Sequence, residues 1–258
     1  MERSFLITGG MLEIPCRIYT PDYGETQRVV LGVHGFCGSK DDSIQSSIAE
    51  EMALFNTATV RFDFPGHGES PMTDEQFTVE NCVGVLLAAA ARARREFLRI
   101  GEFCIFATGF GAYLTVLALE ELTEILGNAR IVLQTPDFRM AETMLAMKDM
   151  TDAQYRQGGH MVYGFDRKIR IPYSFIQELR SNMVFNSYSV PMLLIHGEKD
   201  EYLPLADVQH FRRINDQAKL VVIPGAGHRF LGEGEWDMVL DLTRDWFECE
   251  QVTLCDWS

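Results

Sequence analysis

The residues in this chain best suited to acid–base chemistry are two that lie far apart in sequence. One is His228, at the end of Pro224-Gly-Ala-Gly-His228, and the other is Asp200, in His196-Gly-Glu-Lys-Asp200 followed by Pro204. An imidazole can take the proton of a nucleophile, and a carboxylate can hold that imidazole in one tautomer. The place for a nucleophile is Cys104 to Tyr113, read Cys-Ile-Phe-Ala-Thr-Gly-Phe-Gly-Ala-Tyr. An apolar run ends there at Ala107 and a helical pattern starts after Gly111, so the chain must reverse sharply between them. The pattern G-x-S-x-G makes such a turn, with a serine at its strained tip. Its five positions here are Ala107, Thr108, Gly109, Phe110 and Gly111, so Gly109 stands where the serine would be.

Two further segments complete the pattern. His34-Gly35-Phe36 follows an apolar strand, and Asp63-Phe-Pro-Gly-His-Gly-Glu-Ser70 follows the next. Taken in order, these motifs resemble those of the α/β-hydrolase superfamily over nearly the whole chain. Within it they resemble the serine esterases and lipases, which include small bacterial cinnamoyl or feruloyl esterases and monoacylglycerol lipases. The resemblance implies a catalytic set of Gly109 (at the nucleophile position), Asp200 and His228, in the chain order nucleophile, acid, histidine. It implies an oxyanion hole made by the backbone N–H groups of Phe36 and Phe110, which survives the loss of a serine side chain. Gly35, Cys37 and Thr108 beside the turn, with Met140, Met144 and Tyr163 further on, are the substrate-binding candidates. No cofactor and no metal are expected, and the ligand would be a small ester or acyl compound.

Each of these residues has a plainer reading. Asp200 lies among Glu198, Lys199 and Glu201, as a residue of a solvated loop would, and His228 could be a surface histidine. His34 is expected to brace its loop, and Asp63 and His67 to belong to a structural turn. Thr108 and Cys37 are poor substitute nucleophiles: the first precedes the tip and the second lies on the oxyanion side.

A chain of 258 residues fits one α/β domain with a small insertion. The net charge of −14 argues against nucleic acid, whose phosphates need clustered Lys and Arg. No apolar run reaches the roughly 20 residues of a membrane span, and the first residues do not read as a signal peptide, so a cytoplasmic protein is expected. The six cysteines lack metal-site spacing and are expected to be free. Oligomeric state is not legible.

The elements that must position the motifs follow from periodicity. A hairpin is expected over Ser4–Tyr19, broken at Gly9-Gly10, and strands over Val29–Val33, Thr57–Phe64, Arg130–Gln134, Pro191–His196 and Ala218–Ile223. Helices are expected over Asp41–Phe55, capped by Ser39 or Asp41, and over Thr78–Arg99, Gly111–Leu126, Pro204–Arg213 and Glu235–Cys249. Arg92, Arg94, Arg95 and Arg99 suit the negative end of the second of these helices. Strands alternating with helices predict a mostly parallel sheet covered on both faces, with sites at the carboxyl ends of its strands. The alternation stops between Thr135 and Pro191, which divides the chain into a core (1–136 and 191–258) and a cap insertion (137–190). That insertion should hold a helix, a hairpin-like excursion and a short helix over Ser174–Arg180; Arg170 to Arg180 resembles the cap of cinnamoyl esterases. The tail to Ser258 is apolar enough to pack on the domain.

Function is left with several readings. The chain is an inactivated or silenced esterase, a pseudoenzyme that binds an acyl or aromatic ligand, a hydrolase whose His228 activates water, or a partner-binding scaffold. The N-myc downstream-regulated proteins resemble it at one point, a serine-less elbow ending in Gly-Ala-Tyr, as in Gly111-Ala112-Tyr113.

Overall fold

A computed structural model describes residues 1–9, 12–164 and 167–248. Its strands in chain order are β1 (Glu2–Gly9), β2 (Leu12–Tyr19), β3 (Arg28–Val33), β4 (Thr57–Phe62), β5 (Glu102–Thr108), β6 (Arg130–Gln134), β7 (His160–Tyr163), β8 (Ile169–Pro172), β9 (Met192–Gly197) and β10 (Ala218–Ile223). The helices are α1 (Ser43–Ala53), α2 (Val79–Glu96), α3 (Gly109–Leu117), α4 (Leu119–Leu126), α5 (Met140–Met147), α6 (Asp152–Gly158), α7 (Tyr173–Ser181), α8 (Leu205–Ile214) and α9 (Glu235–Glu248).

Eight strands form one sheet in the order β1-β2-β4-β3-β5-β6-β9-β10. The opening hairpin pairs antiparallel, β2 lies antiparallel to β4, and every pairing from β4 to β10 is parallel. Its central strands are buried on both faces, which is why they read as continuous apolar runs. Alternate residues still part to opposite sides. Leu31, Ile105 and Leu133 pack with α2, α3, α7 and α8, whereas Val30, Phe106 and Val132 pack with Ile48 and Met52 of α1 and Val239, Trp246 and Phe247 of α9. The expected doubly covered, mostly parallel sheet is what forms.

Three local expectations need correction. Helix α1 is capped by Asp42, whose carboxylate accepts the N–H of Gln45 at 2.8 Å. Ser39 and Asp41 are used elsewhere: the Ser39 hydroxyl accepts the N–H of Asp41, and the Asp41 carboxylate pairs with Arg17 and Lys40. The helix after the sharp turn starts at Gly109 itself and is split at Ala118, where Thr115 has turned its hydroxyl back onto the Gly111 carbonyl at 2.8 Å. Such back-bonding bends helices. Thirdly, the insertion carries an extra helix, α6, held by a reciprocal Thr151–Gln154 capping box and closed by Gly159 at φ +75.

Segment β7–β8 is a separate antiparallel hairpin, outside the main sheet. It is fastened to the core by Arg167, whose guanidinium donates to the carbonyls of His67, Gly68, Ser70 and Met72. Toward the end of α2, Arg92 pairs with Glu96 and Arg94 donates to the Ile100 carbonyl. Cys16, Cys37, Cys82 and Cys104 are free thiols. Cys249, Cys255 and the tail to Ser258 lie outside the described residues. Among the described residues no helix is long and apolar enough to cross a membrane.

Candidate active site

The turn between β5 and α3 is as sharp as its sequence requires. Gly109 has φ +50, a conformation that costs an L-residue roughly 1–2 kcal/mol and glycine little. The two glycines of the turn answer different constraints. A Cβ on Gly111 would lie 2.4 Å from the His34 carbonyl oxygen and 2.8 Å from that of Val33, so glycine there lets the helix approach the strand. A Cβ on Gly109 would meet nothing closer than Gly35 Cα at 3.9 Å and the Thr135 oxygen at 4.0 Å. The tip therefore has room for a side chain that it does not carry.

The loop from His34 to Cys37 lies against this tip. Gly35 is so near that a Cβ on it would sit 3.2 Å from the Thr108 hydroxyl. Phe36 follows directly, and Phe110 is the second residue of α3, one of the first four N–H groups that a helix leaves without an internal acceptor. The Phe36 ring packs edge-on to Tyr163, with centroids 5.3 Å apart, and lies near Phe77 and Phe110. Tyr163 in turn donates to the Met144 carbonyl at 2.8 Å, so β7 and α5 reach the loop together. Met140 and Met144 are buried among apolar neighbours. Cys37 adopts φ +60, and burial pushes its thiol up to about 11, far from the thiolate a nucleophile needs.

Two buried histidines hold this loop. His34 Nδ1–H donates to the Gly35 carbonyl at 2.8 Å and its Nε2 accepts the N–H of Phe64 at 3.1 Å. His67 repeats the arrangement: Nδ1–H donates to the Pro65 carbonyl at 2.8 Å and Nε2 accepts the N–H of Cys37 at 3.0 Å. Burial lowers their pKa values to about 4 and about 3, helped for His67 by neighbouring His34, so both rings are neutral donors and acceptors with no nitrogen left for a substrate. Asp63 is likewise consumed, accepting the N–H groups of Lys40 and Glu69 and the Lys40 ammonium.

Asp200 and His228 are brought together across 28 residues of sequence. Oδ2 of Asp200 accepts Nδ1–H of His228 at 2.8 Å, and Oδ1 accepts the N–H groups of Tyr202 and Leu203 at 2.9 and 2.8 Å. The Asp200 side chain is 1% exposed and that of His228 is 29% exposed, so the acid is sealed and the imidazole is reachable. Burial acts to raise the Asp200 pKa, but the His228 hydrogen bond and the two amides outweigh it and hold the carboxylate below its ordinary range. The acidic neighbours are fastened too: Glu201 accepts the N–H of His228 and Glu198 that of Gly225, which pins the histidine loop. Buried His196 stands 3.7 Å from Asp200 Oδ2, but its Nε2 is bonded to the Leu203 carbonyl.

Sequence reasoning passed over Asp137, in the loop after β6. Its N–H donates to the Gly109 carbonyl at 3.1 Å, directly behind the tip. The one available signal was its place two residues beyond Thr135, at the carboxyl end of a strand, where such sheets gather their sites. Among the described residues no three His, Cys, Asp or Glu side chains gather as metal ligands would. An imidazole whose Nε2 has no hydrogen-bond partner among the described residues, with an oriented acid on its Nδ1, can take a proton from a hydroxyl or a water.

Solved structures share this fold at low sequence identity. Est1E from Butyrivibrio proteoclasticus with ferulic acid bound superposes with a TM-score of 0.81 at 19% identity, covering 94% of this chain and 97% of that one. A hydrolase from Agrobacterium vitis S4, of unproven activity, gives 0.78 at 14% identity over 96% and 99%. A soluble variant of monoglyceride lipase from Saccharomyces cerevisiae, in complex with a substrate analog, gives 0.70 at 12% identity over 96% of each chain. No curated protein matches the sequence. The model of the alpha/beta hydrolase family matches residues 30–242, most of the length, and the chain belongs to that family.

Proposed function

We propose that this site binds a small uncharged carboxylic ester, of the short acyl or hydroxycinnamoyl class, and hydrolyses it slowly through water activated by His228, without an acyl-enzyme. The observation that carries this reading is the 2.8 Å bond from His228 to a sealed, doubly amide-bonded Asp200, in a chain whose elbow tip has room for a side chain and carries none. The volume a serine hydroxymethyl would fill is available to a water. His228 Nε2 would take its proton, and the N–H groups of Phe36 and Phe110 would receive the oxyanion. The ester class follows from the likeness to Est1E, which was solved with ferulic acid, and from the aromatic group of Phe36, Phe77 and Tyr163 beside the tip. The 137–190 insertion acts as the cap, with Tyr163 packed edge-on against Phe36.

Serine hydrolases stripped of a triad member keep about 10³–10⁴-fold acceleration over water from binding and the oxyanion hole. The expected rate is therefore low but measurable. Hydrolysis of p-nitrophenyl acetate and methyl ferulate by the protein and by His228→Ala decides the matter. Turnover with no burst, abolished in the variant, supports the reading. Absence of turnover with saturable binding of the same esters leaves a pseudoenzyme that holds its ligand, a reading that the relaxed glycine backbone at position 109 favours.

A further inference from the structure

The proposed hydrolysis names a base but no acid for the departing alcohol. Beside the tip is a carboxyl group that the mechanism has not used. Thr135, just after β6, has φ +42 and its N–H bonded to the Ile195 carbonyl, which swings the following residues across the elbow. Asp137, 8% exposed, is then tied by its own N–H to the Gly109 carbonyl at 3.1 Å. Its Oδ1 accepts the Thr143 hydroxyl at 3.0 Å and the Arg139 N–H at 3.2 Å. Oδ2 has no hydrogen-bond partner among the described residues. The nearby cation that could have neutralised it is engaged elsewhere, since the Arg139 guanidinium bonds Asp207 of α8 at 2.7 Å. The charged and titratable groups that act on Asp137 are His228, from the loop after β10, and Asp207. A carboxyl so enclosed, with one oxygen unclaimed, is built to carry a proton.

We propose that Asp137 is a second catalytic residue of this site, a carboxylic acid whose Oδ2–H hydrogen-bonds an ester's alcohol oxygen and protonates it as the C–O bond breaks. The inference rests on the ester reading of the site. In the step, water oxygen bonds to the acyl carbon while its proton passes to His228 Nε2. The acyl carbon to alcohol-oxygen bond then breaks, and the Asp137 proton goes to that oxygen. The proton on His228 returns to Asp137 through a water, and ester plus water has become acid plus alcohol. Burial raises the Asp137 pKa to about 7, which keeps a proton available near neutrality.

Leaving-group dependence tests the assignment. Asp137→Asn is close to isosteric and keeps an acceptor for Thr143 and Arg139, so it is expected to fold. An aryl oxygen departs without help and an alkyl oxygen does not. The ratio of the ethyl butyrate rate to the p-nitrophenyl butyrate rate should therefore fall by about 100-fold in the variant. A ratio within a factor of two of the parent's overturns the proposal, whatever happens to the two rates separately. Binding of 3-hexanone, which cannot be hydrolysed, gives a readout that needs no turnover. Its affinity for the parent should drop about tenfold between pH 6 and 8 relative to Asp137→Asn, as the donor proton is lost. The same pair compared in the His228→Ala background removes the histidine to which Asp137 is coupled. A flat ratio overturns the proposal. Failure of the parent to hydrolyse either ester would sink the ester-hydrolase reading alone, and the ketone titration would still decide whether Asp137 donates.

Discussion

His228 Nδ1 lies 2.8 Å from Asp200 Oδ2, so the carboxylate holds the imidazole in one orientation. That relationship sets the first expectation. Asp200→Asn would present an amide that no longer fixes the imidazole tautomer, and in a serine protease the equivalent change costs about 10⁴ in kcat. With water as the nucleophile, Asp200→Asn should lower ester turnover by about 100-fold or more while the folded content stays unchanged by circular dichroism. Retained turnover would show that the imidazole is not the base.

The two elbow glycines should respond oppositely to substitution. Gly111→Ala forces a Cβ against two main-chain oxygens and should cost about 3 kcal/mol or more, seen as a fall in Tm of roughly 6–12 °C. Gly109→Ser pays only the backbone term of about 1–2 kcal/mol. It should restore a burst phase with p-nitrophenyl acetate, labelling by a fluorophosphonate, and a rate at least about 10³-fold above the parent. A serine variant that folds but gains nothing would mean that the N–H groups and the imidazole are not aligned on the tip.

Acid should loosen the loop from His34 to Cys37 before it unfolds the sheet. His34 and His67 have folded pKa values near 4 and 3, below the ordinary 6.5. Groups with depressed folded pKa values bind fewer protons when folded, so their stability is fully present above pH 6.5 and lost as pH falls through those values. For His34 the loss is on the order of 3 kcal/mol. Urea midpoints measured from pH 7 to 4 should fall steadily, and His67→Gln should flatten part of that slope. A slope identical in the variant removes His67 from the account.

Asp137 has the opposite sign. Its folded pKa, about 7, is raised above the unfolded carboxyl's, so the stability it contributes is complete below about pH 4 and is lost as pH rises to 7. Asp137→Asn should therefore be more stable than the parent at pH 8, by on the order of a few kcal/mol, and the gap should close toward pH 4. Equal pH profiles for the two chains would contradict the burial argument.

How far the sequence reaches depends on whether the cause of a feature is local. The elbow was legible because an apolar run, a glycine tip and a helical pattern follow within ten residues, and the sheet because its strands are continuous apolar runs. Asp200 and His228 were legible through short motifs at strand ends. Helix α6 was missed although Thr151 and Gln154 spell a capping box, because its seven residues are too few to establish a period. Asp137 was marked only by its place just beyond a strand's carboxyl end, and what sets it apart is a main-chain bond to Gly109, 28 residues earlier. The glutamates beside Asp200 are the exposed run they looked like and also clasp the histidine loop, a second role created only when residues 198–201 meet residues 225–228.

Arg167 carries a consequence for how this protein can change over generations. It grips four carbonyl oxygens, those of His67, Gly68, Ser70 and Met72, and carbonyls are common to every amino acid. Replacing side chains along that loop leaves the grip in place, whereas replacing the arginine releases all of it at once. The side chains of that loop can therefore diversify while this one fastening of the β7–β8 hairpin is inherited through a single codon.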